Sequence, residues 1–338
     1  MTDRQDIAAA QAERDRRSAF APAAPEAVVE DAAVPLFTPD PDQGPARSLW
    51  SDAWLEMRRR PLFWFSAGLI VLVVLMAIVP QLFTFLSPQP DPNYADLSKA
   101  RIAPGPGAWF GFDGQGYDVY SRTIYGARSS ILVGLGATLV TTMIGGVIGI
   151  FAGYFGGWWD TILSRVGDVF FAIPLLLGGI LALYTFPNKL DTPYLVMVGK
   201  VVLALGILGW PSIARLMRSS VLQVKPHDFV QAARALGAGP GRIVRSHILP
   251  NAVAPVIAVS TINLGVYIAT EATLSFLGIG LQPPAISWGV AISDASGIGL
   301  VRSTPHMLLF PSLFLSITVL AFIMLGEVVR DALDPKLR

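Results

Sequence analysis

Five uncharged, strongly apolar stretches punctuate this chain, at residues 62–90, 129–159, 169–188, 251–270 and 307–326. A hydrocarbon layer about 30 Å thick takes roughly 20 helical residues rising about 1.5 Å each, and every one of these stretches is long enough. A sixth, 193–214, carries a single charge, Lys200. That lysine lies near one end, where its flexible stem can carry the ammonium to the interface. The pattern predicts an all-α integral membrane protein with six transmembrane helices. Composition agrees: 14% of the 338 residues are charged, against about 25% in an ordinary soluble domain. With no cysteine, neither disulfides nor thiolate chemistry is available.

Lysine and arginine placement sets the orientation. Most of these residues fall before residue 61, between 215 and 250, and after 329. Both termini are therefore predicted to be cytoplasmic. Residues 1–48 are rich in Ala, Pro, Asp and Glu and lack the apolar core of a signal peptide, so they read as a disordered cytoplasmic tail. From 49 to 60 an interfacial amphipathic helix is expected, with Trp50, Trp54 and Met57 at the boundary and Arg58, Arg59 and Arg60 facing headgroups. Residues 49–128 thus hold this helix, the first crossing and a Pro/Gly-rich external loop. The second crossing repeats G-x-x-x-G at Gly145, Gly149 and Gly153, which lets another helix of the same chain approach closely. Pro174 and Pro211 are expected to kink or end the third and fourth crossings.

Between the fourth and fifth crossings lies a basic segment that cannot span. From Arg215 to Pro250 there are Arg215, Arg218, Lys225, Arg234, Arg242 and Arg245 against one acid, Asp228. Asp228 with Gln231 has the form of a capping box, predicting a helix from about Phe229. Ala232, Ala233, Ala235 and Leu236 give it a smooth face, and Gly237 stands where a left-handed stop belongs. Pro240 suits the first turn of a second helix, which Pro250 closes. Two short helices at 226–250 fit a groove on a partner protein. They fit an anionic lipid surface equally well through their arginines.

Several chemistries have no sequence support. No G-x-x-x-x-G-K-[ST] occurs, so ATP is not held in a P-loop of this chain. The histidines, His227, His247 and His306, form no metal-ligand spacing, and no metal site is predicted. There is no G-x-S-x-G nucleophile elbow. A net charge of +1 with basic residues beside the crossings gives no case for nucleic acid. Glu271 follows twenty uncharged residues and is the one acid to weigh as a pathway or gating group. Intramembrane carboxylates face a cavity or a partner, and the competing placement is near the outer interface, paired or hydrated. Asp168 and Arg165 are expected to form a local ion pair.

The segment resembles the cytoplasmic "EAA" loop of ABC-importer permeases, which reads E-A-A, three residues, G, nine residues, I-x-L-P. Gln231-Ala232-Ala233, Gly237 and Leu249-Pro250 fall at that spacing. Gln231 replaces the glutamate, so its charge is lost while its hydrogen bonds remain, and His247 stands where isoleucine is usual. From Leu49 onward the chain is similar to the C-type permease subunit of dipeptide, oligopeptide and nickel importers. Trp109-Phe-Gly-Phe-Asp113, Tyr125-Gly-Ala-Arg128, Gly153-Tyr-Phe-Gly-Gly157, Leu274-Ser-Phe-Leu-Gly-Ile-Gly280 and Ser287-Trp-Gly289 carry the likeness. Tyr117 departs from the family's G-R-D, and the N-terminal tail is longer than usual.

The resemblance implies a type I importer transmembrane fold in the cell membrane, with 129–338 as the permease domain. Its partners would be a second, B-type permease, two cytoplasmic ABC ATPases that hold ATP and Mg, an extracytoplasmic solute-binding protein and membrane lipid. No cofactor would be bound by this chain, and it would not itself be an enzyme. Coupling would rest on Asp228, Gln231, Ala232, Ala233, Arg234, Gly237, His247, Leu249 and Pro250. Peptides are the expected solutes. Nickel chelates, oligosaccharides and a non-transporting scaffold remain as alternatives.

Overall fold

The computed structural model describes residues 49–189 and 191–333. The tail expected to be disordered over 1–48 lies outside them, as do Lys336 and Arg338. Ten helices organise the described chain: α1 (Leu49–Arg59), α2 (Pro61–Ile78), α3 (Val119–Phe155), α4 (Gly157–Phe171) and α5 (Leu175–Thr185). Then follow α6 (Tyr194–Val224), α7 (Asp228–Ala235), α8 (Ala254–Phe276), α9 (Trp288–Ala295) and α10 (His306–Leu333). Shorter helical turns connect them. Five of these helices, α2, α3, α6, α8 and α10, are long and apolar enough to cross a membrane. The pair α4 and α5, bent by 81°, makes a sixth if it counts as one crossing.

The helices depart from the uncharged stretches in instructive ways. Helix α2 stops at Ile78, well short of residue 90. Val79 leaves the helical region (φ −127°, ψ 65°) because Pro80 follows it and disfavours α geometry before itself. Helix α3 starts ten residues before its uncharged run, taking in Arg122 and Arg128 from the end of the expected external loop. The Asp118 carboxylate accepts from the Ser121 amide at 2.8 Å and caps this early start. Burial pushes the Asp118 carboxyl above the usual range, and that same amide bond pulls it back. Pro174 stands at the break between α4 and α5, as a helix-ending proline should. Pro211 does not end the fourth, since α6 runs on through it to Val224.

Packing centres on α3 against α6. A Cβ on Gly145 would stand 2.6 Å from the Trp210 carbonyl oxygen, and one on Gly149 2.5 Å from that of Ala214. The glycine stripe therefore brings two backbones of one chain together. One core joins these helices to α5 and α8 through Val133, Val201, Leu205 and Leu274. A second gathers α2, α3, α8 and α10 around Ile268 and Trp288. Helix α1 leaves Trp50 and Trp54 exposed, as an interfacial helix would. Arg60, expected to face headgroups, instead donates from Nη1 to Asp331 at 2.7 Å, tying the start of α2 to the end of α10.

The loop between α2 and α3 is folded rather than loose. Isolated antiparallel bridges hold it, at Ala95–Tyr117, Gly105–Ala108 and Phe112–Asp118. His306 at the start of α10 meets the Phe112 carbonyl at 3.2 Å. Tyr117, where the family pattern has arginine, lies under the Arg122 guanidinium at 4.4 Å. The loop and the 277–304 segment occupy one end of the bundle, and α7 occupies the other.

Candidate functional site

Helix α7 projects from the far end of α6. Its first residue is Asp228, and His227 rather than Asp228 is the N-cap, with no side-chain cap bond. The predicted capping box does not form. Gln231 reaches back past the N-terminus, and its Nε2 donates to the Lys225 carbonyl at 3.1 Å. Asp228 in the first turn still favours the helix dipole. The stop is as read: Gly237 has φ +81°. The Gly237 amide donates to Arg234 and the Ala238 amide to Ala233, both at 3.0 Å. That pair of bonds is a Schellman motif, and it closes the helix within one residue.

Beyond the stop the chain is helical again. Pro240 sits in the first turn after Gly239, as expected. A π-helical turn spans Val244–Ile248 and runs into Leu249–Ala252. Pro250, expected to close this helix, instead lies in the first turn of that last piece. A proline has no amide to give a carbonyl four residues back, and the widened turn just before it removes that demand.

A single core seats the whole segment. Val230, Ile243, Ile248 and Ala252 are buried against Tyr154 of α3, Met217 and Val221 of α6 and Val256 of α8. Leu249 packs at its edge, half-buried. The opposite face is open. Leu236 at the tip is 89% exposed and Phe229 42%. Asp228, Gln231, Ala232, Arg234 and Pro250 are exposed, and Ala233 is half-buried. The rings of His227 and His247 flank Phe229 at 5.6 and 6.4 Å between centroids.

Three of the six basic residues are not part of this open face. Arg218 forks onto Asp160 of α4, with Nε at 2.5 Å and Nη2 at 2.6 Å. Arg215 reaches Asp168 at 2.9 Å, nearer than Arg165 does at 3.7 Å, so the expected local pair is chiefly a bond between helices. Lys225 donates to the Tyr154 carbonyl at 2.7 Å. Sequence reading missed these ties because their partners lie far away in the chain. Arg234, Arg242 and Arg245 are left to face solvent.

Glu271 stands apart from all of this, near the other end of α8. It is fully buried. Oε2 accepts from Ser130 of α3 at 3.0 Å and Oε1 from Ser275, one turn on, at 2.8 Å. Ser275 in turn accepts from the Leu281 amide at 2.9 Å. The carboxylate thus links α3 and α8 to the start of the 277–287 loop. Lys200 donates to the Pro187 carbonyl at 2.9 Å, its stem turned toward the loop before α6, as a snorkelling lysine should be.

Comparison with known proteins places the chain in a family. Residues 145–338 match the family model described as binding-protein-dependent transport system inner membrane component. Residues 48–104 match the N-terminal TM domain of oligopeptide transport permease C. The oligopeptide transport system permease protein OppC of Bacillus subtilis is 38% identical over 291 residues, 86% of this chain and 91% of that protein. The glutathione transport system permease protein GsiD of Escherichia coli is 35% identical over 306 residues, 90% of this chain and 95% of its own. The dipeptide transport system permease protein DppC of Alkalihalophilus pseudofirmus is 36% identical over 314 residues, 90% and 98% respectively.

Proposed function

The chain belongs to the family of binding-protein-dependent transport system inner membrane components, and from that premise we propose that it forms half of an inward path for peptides. It is a multi-pass permease subunit of an ABC importer. In our reading the bent pair α4–α5 is one crossing, giving six, and both termini are cytoplasmic. The second half of the path is a B-type permease. Two ABC ATPases bind ATP with Mg, and an external binding protein delivers the solute.

The observation that carries this reading is the seating of the 228–252 segment. Its buried side meets the ends of α3, α6 and α8 at once, so a force on the exposed tip reaches three long helices together. Its exposed side offers Leu236 and Phe229 beside Arg234, an apolar anchor with a cationic rim that fits a groove on an ATPase. Closure of the ATPases on ATP would move this rigid piece and re-aim the helices above it. Asp228, Gln231, Ala232, Ala233, Gly237, His247, Leu249 and Pro250 act as its frame and surface rather than as chemical groups.

Peptide substrates are supported by the names of the relatives, which carry oligopeptides, dipeptides and glutathione. The reading is tested by reconstituting the tagged chain with its partners in proteoliposomes and following labelled di- and tripeptides. ATP-dependent accumulation that requires the binding protein is expected. A complex that hydrolyses ATP but accumulates no peptide would remove the substrate assignment and leave nickel chelates or oligosaccharides.

A further inference from the structure

A cavity of about 260 Å³ opens at the end of the bundle opposite α7, between α3, the start of α6 and the 284–286 turn. Arg128, Tyr125, Tyr194, Asn93 and Thr192 bring polar groups to it beside apolar Met197 and Ile286, and among the described residues no carboxylate lines it. Tyr125 and Arg128 are three residues apart on α3 and so share a face. The Arg128 Nε donates to the Ala77 carbonyl at 3.1 Å, one of those the end of α2 leaves without an amide. Among the described residues its two Nη groups have no partner, and neither has the Tyr125 hydroxyl. Arg128 is exposed, so its unneutralised guanidinium stands at the open side of this concave site, where it attracts an anion and its planar fork matches the two oxygens of a carboxylate.

The hydrogen-bond chain fixes the remaining chemistry. Ser129 Oγ donates to the Ile286 carbonyl at 2.5 Å. Its single proton is thereby used, so in the 3.1 Å contact between Ser129 and Tyr194 the tyrosine is the donor. Tyr194 Oη is left with acceptor capacity beside the cation. Glu271, buried behind this wall, has its oxygens turned to Ser130 and Ser275.

The geometry points to this cavity as a subsite for the terminal carboxylate of the transported solute, held by the Arg128 Nη groups and the Tyr125 hydroxyl, with Tyr194 accepting from the neighbouring peptide N–H. The inference rests on the reading of the chain as a peptide permease. It adds a residue-level selection for free acids that the permease itself would impose.

The test uses the complete transporter in proteoliposomes, with a dipeptide and its C-terminal amide as paired solutes. Arg128→Gln should lower uptake of the free acid roughly threefold to tenfold, the loss expected for a charge-assisted pair at an exposed arginine. Uptake of the amide should change little, so the acid-to-amide preference collapses. Arg128→Lys should restore part of it, and Tyr125→Phe should lose a smaller share.

Because the chain has no cysteine, Thr192→Cys on the cavity rim supplies a reporter thiol for solutes whose amide form is carried too slowly to measure. The free-acid peptide should slow its modification by a thiosulfonate, and that protection should vanish when Arg128→Gln is added. Equal loss for acid and amide would make Arg128 only a cap for α2. A matching rise in the half-saturating concentration of binding protein would give the carboxylate to that protein instead. Either result overturns the subsite. A wild-type transporter that carries neither solute overturns the peptide reading itself, and the subsite with it.

Discussion

At Gly237 the backbone alone excludes a side chain: φ is +81°, yet nothing lies within 4 Å of where a Cβ would stand. A left-handed residue with a side chain costs about 1–2 kcal/mol, and Gly237→Glu also sets an acid beside the exposed Leu236. The expected outcome is weaker attachment of ATPase subunits with the membrane-embedded chain still folded. ATPases copurifying at wild-type level with Gly237→Glu would contradict it. Glu271 is constrained in the opposite way, by partners on two sides. Glu271→Ala leaves the Ser130 and Ser275 hydroxyls without their acceptor, which should cost about 1–3 kcal/mol and lower the thermal midpoint in detergent. Glu271→Gln keeps the volume and should lower transport while the complex still assembles; unchanged uptake would remove Glu271 from the mechanism. Gly237 was legible because its signal is local, a glycine after a helical run. Ser130, which holds one oxygen of Glu271, was not, since it lies 141 residues away. The capping box failed because Gln231 found the Lys225 carbonyl instead.

Among the elements, α3 and α6 carry the most demanding contact, and the glycine stripe predicts a graded response. Gly149→Ala drives a Cβ to 2.5 Å from the Ala214 carbonyl oxygen, whereas at Gly146 the nearest atom is the Met217 Cε at 4.0 Å. Overpacking of this kind costs about 1–3 kcal/mol. Gly149→Ala should therefore lower the thermal midpoint and Gly146→Ala should leave it unchanged; equal midpoints would contradict the close approach. Uncharged runs located the long helices but not their ends. Charged residues continue a helix wherever a partner meets them. Arg122 has Asp113, Arg128 has a free carbonyl of α2, and Arg215 and Arg218 have the acids of α4. Proline was equally ambiguous from sequence. Pro174 ends a segment, Pro211 is absorbed within a long helix, and Pro250 is accommodated by a π turn.

In the whole molecule the two regions of interest lie at opposite ends of shared helices. The 228–252 segment rests on α3, α6 and α8, and α8 carries Glu271 near its far end while α3 carries Arg128. Movement of the exposed tip by an ATPase would therefore be transmitted along the helices that line the opposite mouth. Membrane embedding and family were legible in the sequence because hydropathy and short motifs record them directly. The seating of the basic segment was not, because half of its positive charge is spent on α4 and on the end of α3. The most direct test is affinity purification of the tagged chain from its native membrane in gentle detergent, with its companions identified by mass spectrometry. The account predicts a second permease together with P-loop ATPases whose activity rises on addition of the binding protein. The chain recovered alone, with no stimulated ATPase activity, would contradict the coupling role of α7 and favour a membrane scaffold.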